Sequence, residues 1–255
     1  MTYSAALFED PTASLEEAQR AKIRRVCQQL RLAPGQRLLE IGCGWGGFAQ
    51  IAAAEFGAEV VGITLSREQL AHGQERIAKA GLGERVSLQL LDYRDVQGTF
   101  DAIASVEMIE AVGQDYWPVY FRTLHERLKP GGLACIQAIT IADRYFDDYR
   151  KSADFIQRYV FPGGMLLSPA KLRAQAARAG LLWRDAHWFG NDYAETLKHW
   201  QASFQASWPG IARLSTAKGR YDERFKRLWE YYLAYCEAGF RAGWTDVGQI
   251  LMYRP

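Results

Sequence analysis

No C-x-x-C spacing occurs in this 255-residue chain, and its four cysteines, Cys27, Cys43, Cys135 and Cys236, stand far apart. Neither a disulfide framework nor a zinc site is indicated, and reduced thiols fit a cytoplasmic protein. The four histidines, His72, His125, His187 and His199, lack paired ligand spacing, so no metal is expected. No apolar run reaches the roughly 18 residues of a membrane span, and the N-terminus has neither a charged region nor a hydrophobic stretch of signal type. Membrane contact is therefore expected to be peripheral. Formal charge is only +2, with Lys and Arg scattered, which excludes a strong field for nucleic acid. A hydrophobic content of 49% beside 24% charge leaves an ordinary globular domain long enough to bury a full core.

What is present centres on Arg37-Leu38-Leu39-Glu40-Ile41-Gly42-Cys43-Gly44-Trp45-Gly46-Gly47, an apolar strand running into glycines. Bare backbone at a strand-to-helix turn lets a ligand approach, and the following helix offers free N–H groups. A dinucleotide site would place a carboxylate about 20 residues further on, at the end of the second strand. That strand reads Glu59-Val60-Val61-Gly62-Ile63-Thr64-Leu65-Ser66 and ends without one. The reading moves from NAD to S-adenosylmethionine, and Glu40 stands where many methyltransferases carry an acid that supports its methionine end, a solvated strand-end charge being the other reading.

Periodicity predicts a helix over 14–30, begun by a Ser14/Glu17 capping box, then strand 37–41, helix 46–56, strand 59–63 and a helix over 66–80 capped by Ser66. Strand 86–91, strand 100–106 and a helix over 115–128 follow, and Lys129-Pro130-Gly131-Gly132 predicts a turn into strand 133–139. Such alternation predicts a parallel sheet with helices on both faces. The pattern lapses over 141–164, which reads as a lid. A helix over 168–179 and a strand over 181–188 precede a helical, aromatic-rich stretch over 191–240, with Trp200, Phe204, Trp208, Trp229, Tyr231, Tyr232 and Tyr235, and a last strand over 248–253. Core packing is the first reading of most of these rings. Gly42, Thr64, Asp92-Tyr93 and Glu107 to Glu110 all fall at C-terminal strand ends, where open α/β sheets bind ligands.

These pieces carry a resemblance. Tyr3-Ser4, segment 40–47, Gly62 to Ser66 with Gln69, Glu110, Phe155 to Gly164, Gly190-Asn191-Asp192-Tyr193 and Tyr231 to Phe240 occur in one order, and together the chain resembles the catalytic domain of the cyclopropane fatty acid synthase and mycolic acid cyclopropane synthase family. The resemblance implies one class I methyltransferase domain over 1–255: a Rossmann-like, mostly parallel sheet with an antiparallel last strand, and lid or acyl-pocket segments near 141–165 and 191–240. It also implies S-adenosylmethionine and an unsaturated phospholipid at the inner membrane face as cofactor and substrate. A homodimer is left open. The alkene would attack the sulfonium methyl, so catalysis must hold it in line and keep water from the resulting cation.

Loss of a proton then needs a base. In the resembled family that base is a bicarbonate held by a glutamate, a tyrosine, a histidine and backbone groups, and Glu110 and Tyr193 match the first two. Gln137 departs from the histidine; its amide donates a hydrogen bond but cannot exchange a proton. Ring closure survives with a structural Gln137, or the cation is quenched to a methyl-branched or methylene product. Ala5 replaces a cysteine, where a backbone N–H would suffice. Cys236 matches the cysteine long designated active, although cyclopropanation needs no thiolate. Cofactor contacts are implied for Tyr3, Ser4, Glu40, Gly42, Cys43, Gly44, Trp45, Gly46, Thr64, Leu65, Gln69, Tyr93 and Arg94, the last replacing an acid. Only Met1 and Thr2 precede Tyr3, where the family commonly has a helical segment over the cofactor. Methylation of a soluble acceptor, and an inactive cofactor-binding partner, stand as the other readings.

Overall fold

A computed structural model describes residues 1–216 and 219–255. Its first half repeats strand and helix: α1 (Leu15–Gln29), β1 (Arg37–Ile41), α2 (Gly47–Phe56), β2 (Glu59–Thr64), α3 (Arg67–Lys79), β3 (Val86–Leu90), β4 (Phe100–Val106) and α4 (Trp117–Arg127). Then come β5 (Leu128–Ile141), α5 (Asp143–Tyr149), α6 (Phe155–Tyr159), α7 (Pro169–Arg178), β6 (Leu182–Trp188), α8 (Gly190–Ile211), β7 (Ser215–Thr216), β8 (Gly219–Arg220), α9 (Glu223–Arg241) and β9 (Thr245–Tyr253). Local chemistry accounts for the helix starts. Ser14 and Glu17 form the reciprocal capping box, and the Ser66 and Ser168 hydroxyls accept from N–H groups three residues on.

Seven strands make one sheet in the order β3-β2-β1-β4-β5-β9-β6, and only β9 runs against the others. The expected class I methyltransferase arrangement is met. Alternation splits the strand residues between two cores: Leu39, Ile41, Ile63 and Ile103 pack on one face with α4 and α7, and Leu38, Val60, Ala102 and Ala104 on the other with α1 and α2. A third cluster joins α8 and α9 to Ala5 and Leu7 of the N-terminal segment.

Two expectations need correction. The 129–132 turn is a bulge inside β5, because the register passes from Phe100–Leu128 directly to Ala102–Leu133, leaving those residues opposite Asp101. Gly131 takes φ +81° there, and Lys129 Nζ reaches Asp101 Oδ1 at 2.6 Å. The last strand begins at Thr245 rather than 248, since Thr245 and Asp246 pair with Ile141 and Thr140 and are strand by pairing, not by apolarity.

Candidate active site

At the C-terminal edge of the parallel strands the chain turns through Gly42, Gly44 and Gly46, at φ +85°, +50° and +78°. These are left-handed conformations that a side chain would strain. A Cβ on Gly44 would meet nothing within 4 Å, whereas one on Gly42 would press Met108 Cγ at 3.1 Å. Glu40, next to the turn, is buried, and its Oε2 has no hydrogen-bond partner. Burial pushes its carboxyl up to about 8, against the pull of the Lys22 ammonium and the Ala49 backbone.

The other cofactor candidates divide. Thr64 Oγ1 donates to Gln69 Oε1 at 2.9 Å and accepts from Ser66 N–H at 3.1 Å, which fixes the β2 end. Leu65 is largely exposed. Tyr93 stands edge-on to Tyr120 at the β3 end. Arg94 pairs with Asp92 through Nε and Nη2, at 2.9 and 2.7 Å, and holds its carboxyl low. Trp45 lies edge-on to His72. Cys43 turns its buried side chain toward Gly62, where a Cβ would meet Cys43 Cβ at 2.9 Å; its side chain is therefore a packing group. Ser4 Oγ accepts from the buried Lys22 Nζ at 2.5 Å, and Tyr3 shares a 2.8 Å hydroxyl hydrogen bond with Tyr232 while stacking on Trp200 at 4.9 Å.

The catalytic candidates gather on a residue not chosen from the sequence. Glu107 follows β4 at φ +50°, and burial pushes its carboxyl up from the ordinary carboxylate range. Its Oε1 accepts from Ala5 N–H at 2.8 Å and Gln137 Nε2 at 2.7 Å, and its Oε2 from Tyr193 Oη at 2.8 Å. Gln137 is oriented in turn by Gln249, whose Nε2 donates to Gln137 Oε1 at 3.1 Å. Glu110 lies beside this group: Oε1 accepts from Ile139 N–H at 2.6 Å, and Oε2 has no partner. Burial first, then the charge of Glu107, pushes Glu110 up to about 8. One signal for Glu107 was legible. An amide at 137 in place of an exchangeable imidazole needs an acceptor, and Glu107 is the acid at the neighbouring strand end, where β4 and β5 pair Val106 with Gln137.

Cys236 lies apart from these carboxyls, on α9 among Phe240, Tyr232 and Trp229. Burial pushes its thiol up to about 12, so it stays protonated at neutral pH. The four cysteines are free thiols. Among the described residues no helix is long and apolar enough to cross a membrane.

An aromatic path joins the acids to the surface. Tyr193 stacks on Phe240 at 4.5 Å and meets Trp200 edge-on, Trp200 stacks on Tyr3, and Tyr3 reaches Tyr232. Tyr232 then meets Phe161, and Phe155 packs on Tyr231 at 4.6 Å. Phe161, Tyr159, Tyr231 and Tyr235 form an exposed rim.

A family model described as mycolic acid cyclopropane synthetase matches residues 1–250. The chain is 44% identical over 262 residues to the tuberculostearic acid methyltransferase UfaA1 of Mycobacterium tuberculosis, covering 100% of this chain and 60% of that protein. It is 40% identical over 254 residues to the cyclopropane-fatty-acyl-phospholipid synthase of Escherichia coli K12, covering 100% of this chain and 62% of that one. The chain thus spans about three-fifths of the length of these relatives. The crystal structure of mycolic acid cyclopropane synthase CmaA1 complexed with SAH and CTAB superposes with TM-score 0.90 at 29% identity, covering 99% of this chain and 90% of that one.

Proposed function

The chain belongs to the mycolic acid cyclopropane synthetase family, and on that premise we propose that it transfers a methyl group from S-adenosylmethionine to the cis double bond of an unsaturated phospholipid acyl chain. The observation that carries this reading is the continuity of the aromatic path with the buried acids: Tyr193, on aromatic α8, reaches Glu107 at the sheet edge where the glycine turn opens. An acceptor presenting only a soluble amine or hydroxyl has no need of such a path.

The glycine turn fits the cofactor. Glu40 Oε2 is a buried acceptor without a partner, and Gly44 leaves room where a side chain would stand. Glu40, Gly42, Gly44 and Gly46, with Thr64 and Gln69 at the β2 end and Tyr93 beyond β3, would hold it. Bound there, it supplies an electrophilic methyl on a positively charged sulfur. Tyr3, Trp200 and Tyr193 turn ring faces and edges toward the path, where they exclude water and favour positive charge on an alkylated acyl chain. The exposed rim of Tyr159, Phe161 and Tyr231, on the 141–165 segment and α9, supports docking at a lipid surface. Loss of a proton from the new methyl group completes the reaction and requires a base at the Glu107 and Glu110 edge.

The test incubates purified protein with isotope-labelled cofactor and vesicles of cis-unsaturated phospholipid, and reads lipid mass. A gain of one CH2 with loss of the double bond marks a cyclopropane; the same gain with a double bond retained marks a methylene or other methyl-modified chain. Absence of any labelled lipid, with cofactor bound, overturns the reading.

A further inference from the structure

The donors expected to hold a bicarbonate are already engaged by the chain's own carboxyls. Ala5 N–H, the Gln137 amide and the Tyr193 hydroxyl converge on Glu107, and Ile139 N–H on Glu110. A further anion placed here would find no free donor among these groups and would lie against the Glu107 carboxylate, an arrangement that buried charge does not tolerate. Bicarbonate does not fit.

We propose that Glu107 is the base of the reaction, a carboxylate tethered to the chain where the resembled family borrows a free one. The inference rests on the lipid methyl transfer proposed above. An ionised carboxylate has about four lone-pair sites. Three are filled in Glu107, two on Oε1 and one on Oε2, so the site that remains is on Oε2 beside the Tyr193 hydroxyl. The neighbouring acids differ in their partners. Burial pushes the Glu107 carboxyl up, but the Lys22 ammonium and three accepted hydrogen bonds pull back toward its ionised form, whereas Glu110 accepts one, is pushed up to about 8 by burial and then by the Glu107 charge, and keeps a proton.

The step balances without an oxidant or reductant. A C–H bond of the transferred methyl breaks and its proton goes to Glu107 Oε2. The electron pair closes the third bond of a cyclopropane onto the adjacent cationic carbon. If a hydride first shifts from the methylated carbon, the same pair forms a methylene double bond instead. Glu107 loses the proton to water as the product leaves.

The vesicle assay, run in carbon-dioxide-depleted buffer with and without added bicarbonate, tests this on the intact chain and on Glu107→Gln and Glu107→Gly. Glycine suits φ +50°, and thermal unfolding with cofactor binding establishes that each variant folds. The wild-type rate should change less than about twofold on adding bicarbonate, and Glu107→Gln should lose on the order of a hundredfold or more in both buffers. Glu107→Gly, which vacates the donors, should regain about tenfold or more with bicarbonate. A titration of 13C-bicarbonate followed by NMR should give saturable broadening with Glu107→Gly and none with wild type. Wild-type dependence on bicarbonate, saturable binding to wild type, an active Glu107→Gln, or a Glu107→Gly that neither binds nor responds to bicarbonate overturns the proposal. Should wild type yield no lipid product, the functional reading fails, while the NMR titration still decides whether the tethered carboxylate excludes bicarbonate.

Discussion

Lys22 Nζ lies 2.5 Å from Ser4 Oγ in near-complete burial, and its charge acts on both Glu40 and Glu107. Burial pulls the Lys22 amine down to about 8 against the pull of Glu107 and Glu40, so below that pH it is a counter-ion for two carboxyls on neighbouring strand ends. Its removal by Lys22→Met should destabilise the chain by about 3 kcal/mol at pH 7, because breaking one side of a buried charge cluster leaves the other uncompensated. The loss should shrink toward pH 5 as the carboxyls, both pushed up by burial, take up protons. Urea unfolding at the two pH values checks this; equal stability of variant and wild type at pH 7 would refute the counter-ion role.

Stability should fall as pH rises from about 4.5 to about 8. Glu40 and Glu110 both have their folded values pushed up to about 8 from 4.5, so the native state holds protons that the unfolded chain has released. Their contribution is complete below 4.5 and lost through about 8. Cofactor-free protein should melt at least roughly 5 °C lower at pH 8 than at pH 5, and Glu110→Gln should flatten the slope. A melting temperature that climbs over this range would sink the assignment.

Tyr193→Phe keeps the ring stacked on Phe240 and removes only the O–H donated to Glu107. A hydrogen bond to a charged group is worth about 1.5–3 kcal/mol, so kcat should fall roughly 10- to 100-fold. Cofactor affinity should hold. Stopped assays with a parallel binding titration separate the two, and a loss confined to affinity would place Tyr193 in the wrong role.

Cys236→Ala should retain activity within about threefold, since a thiol held near 12 supplies no thiolate at neutral pH. Slow labelling of Cys236 by iodoacetamide in the folded protein is the matching observation. A hundredfold loss in a folded variant would restore the cysteine to the chemistry.

Gly62→Ala should cost about 1–3 kcal/mol by overpacking. The added Cβ would lie 2.6 Å from Leu88 Cδ2 and 2.9 Å from Cys43 Cβ, both inside one core. Denaturant midpoints measure it; an unchanged midpoint would mean that β2 and β3 yield more readily than their packing implies.

Two buried strands were legible to the residue: β1 over 37–41 and β4 over 100–106 coincide with their patterns because burial on both faces makes most of their positions apolar. Helices starting at Ser14 and Ser66 were equally plain, since their caps are local chemistry. The start of β9 was not, because Thr245 and Asp246 owe their extended state to partners a hundred residues earlier in β5. At the site, Glu110, Gln137 and Tyr193 were found from the resemblance, and Glu107 was passed over as one of several strand-end residues. Its importance lies in a left-handed backbone and in donors from the N-terminal segment, β5 and α8, none of which a linear pattern records.

The backbone at position 107 is one that glycine enters freely and glutamate enters only under strain. In the genetic code those two amino acids are separated by a single change in the middle base. A lineage can therefore pass between a tethered base and a borrowed one in one mutational step, with the fold relieved rather than damaged on the way. The descent of the whole chain and the descent of its proton acceptor need not agree, and dependence on dissolved carbon dioxide is better read from this one codon than from overall identity.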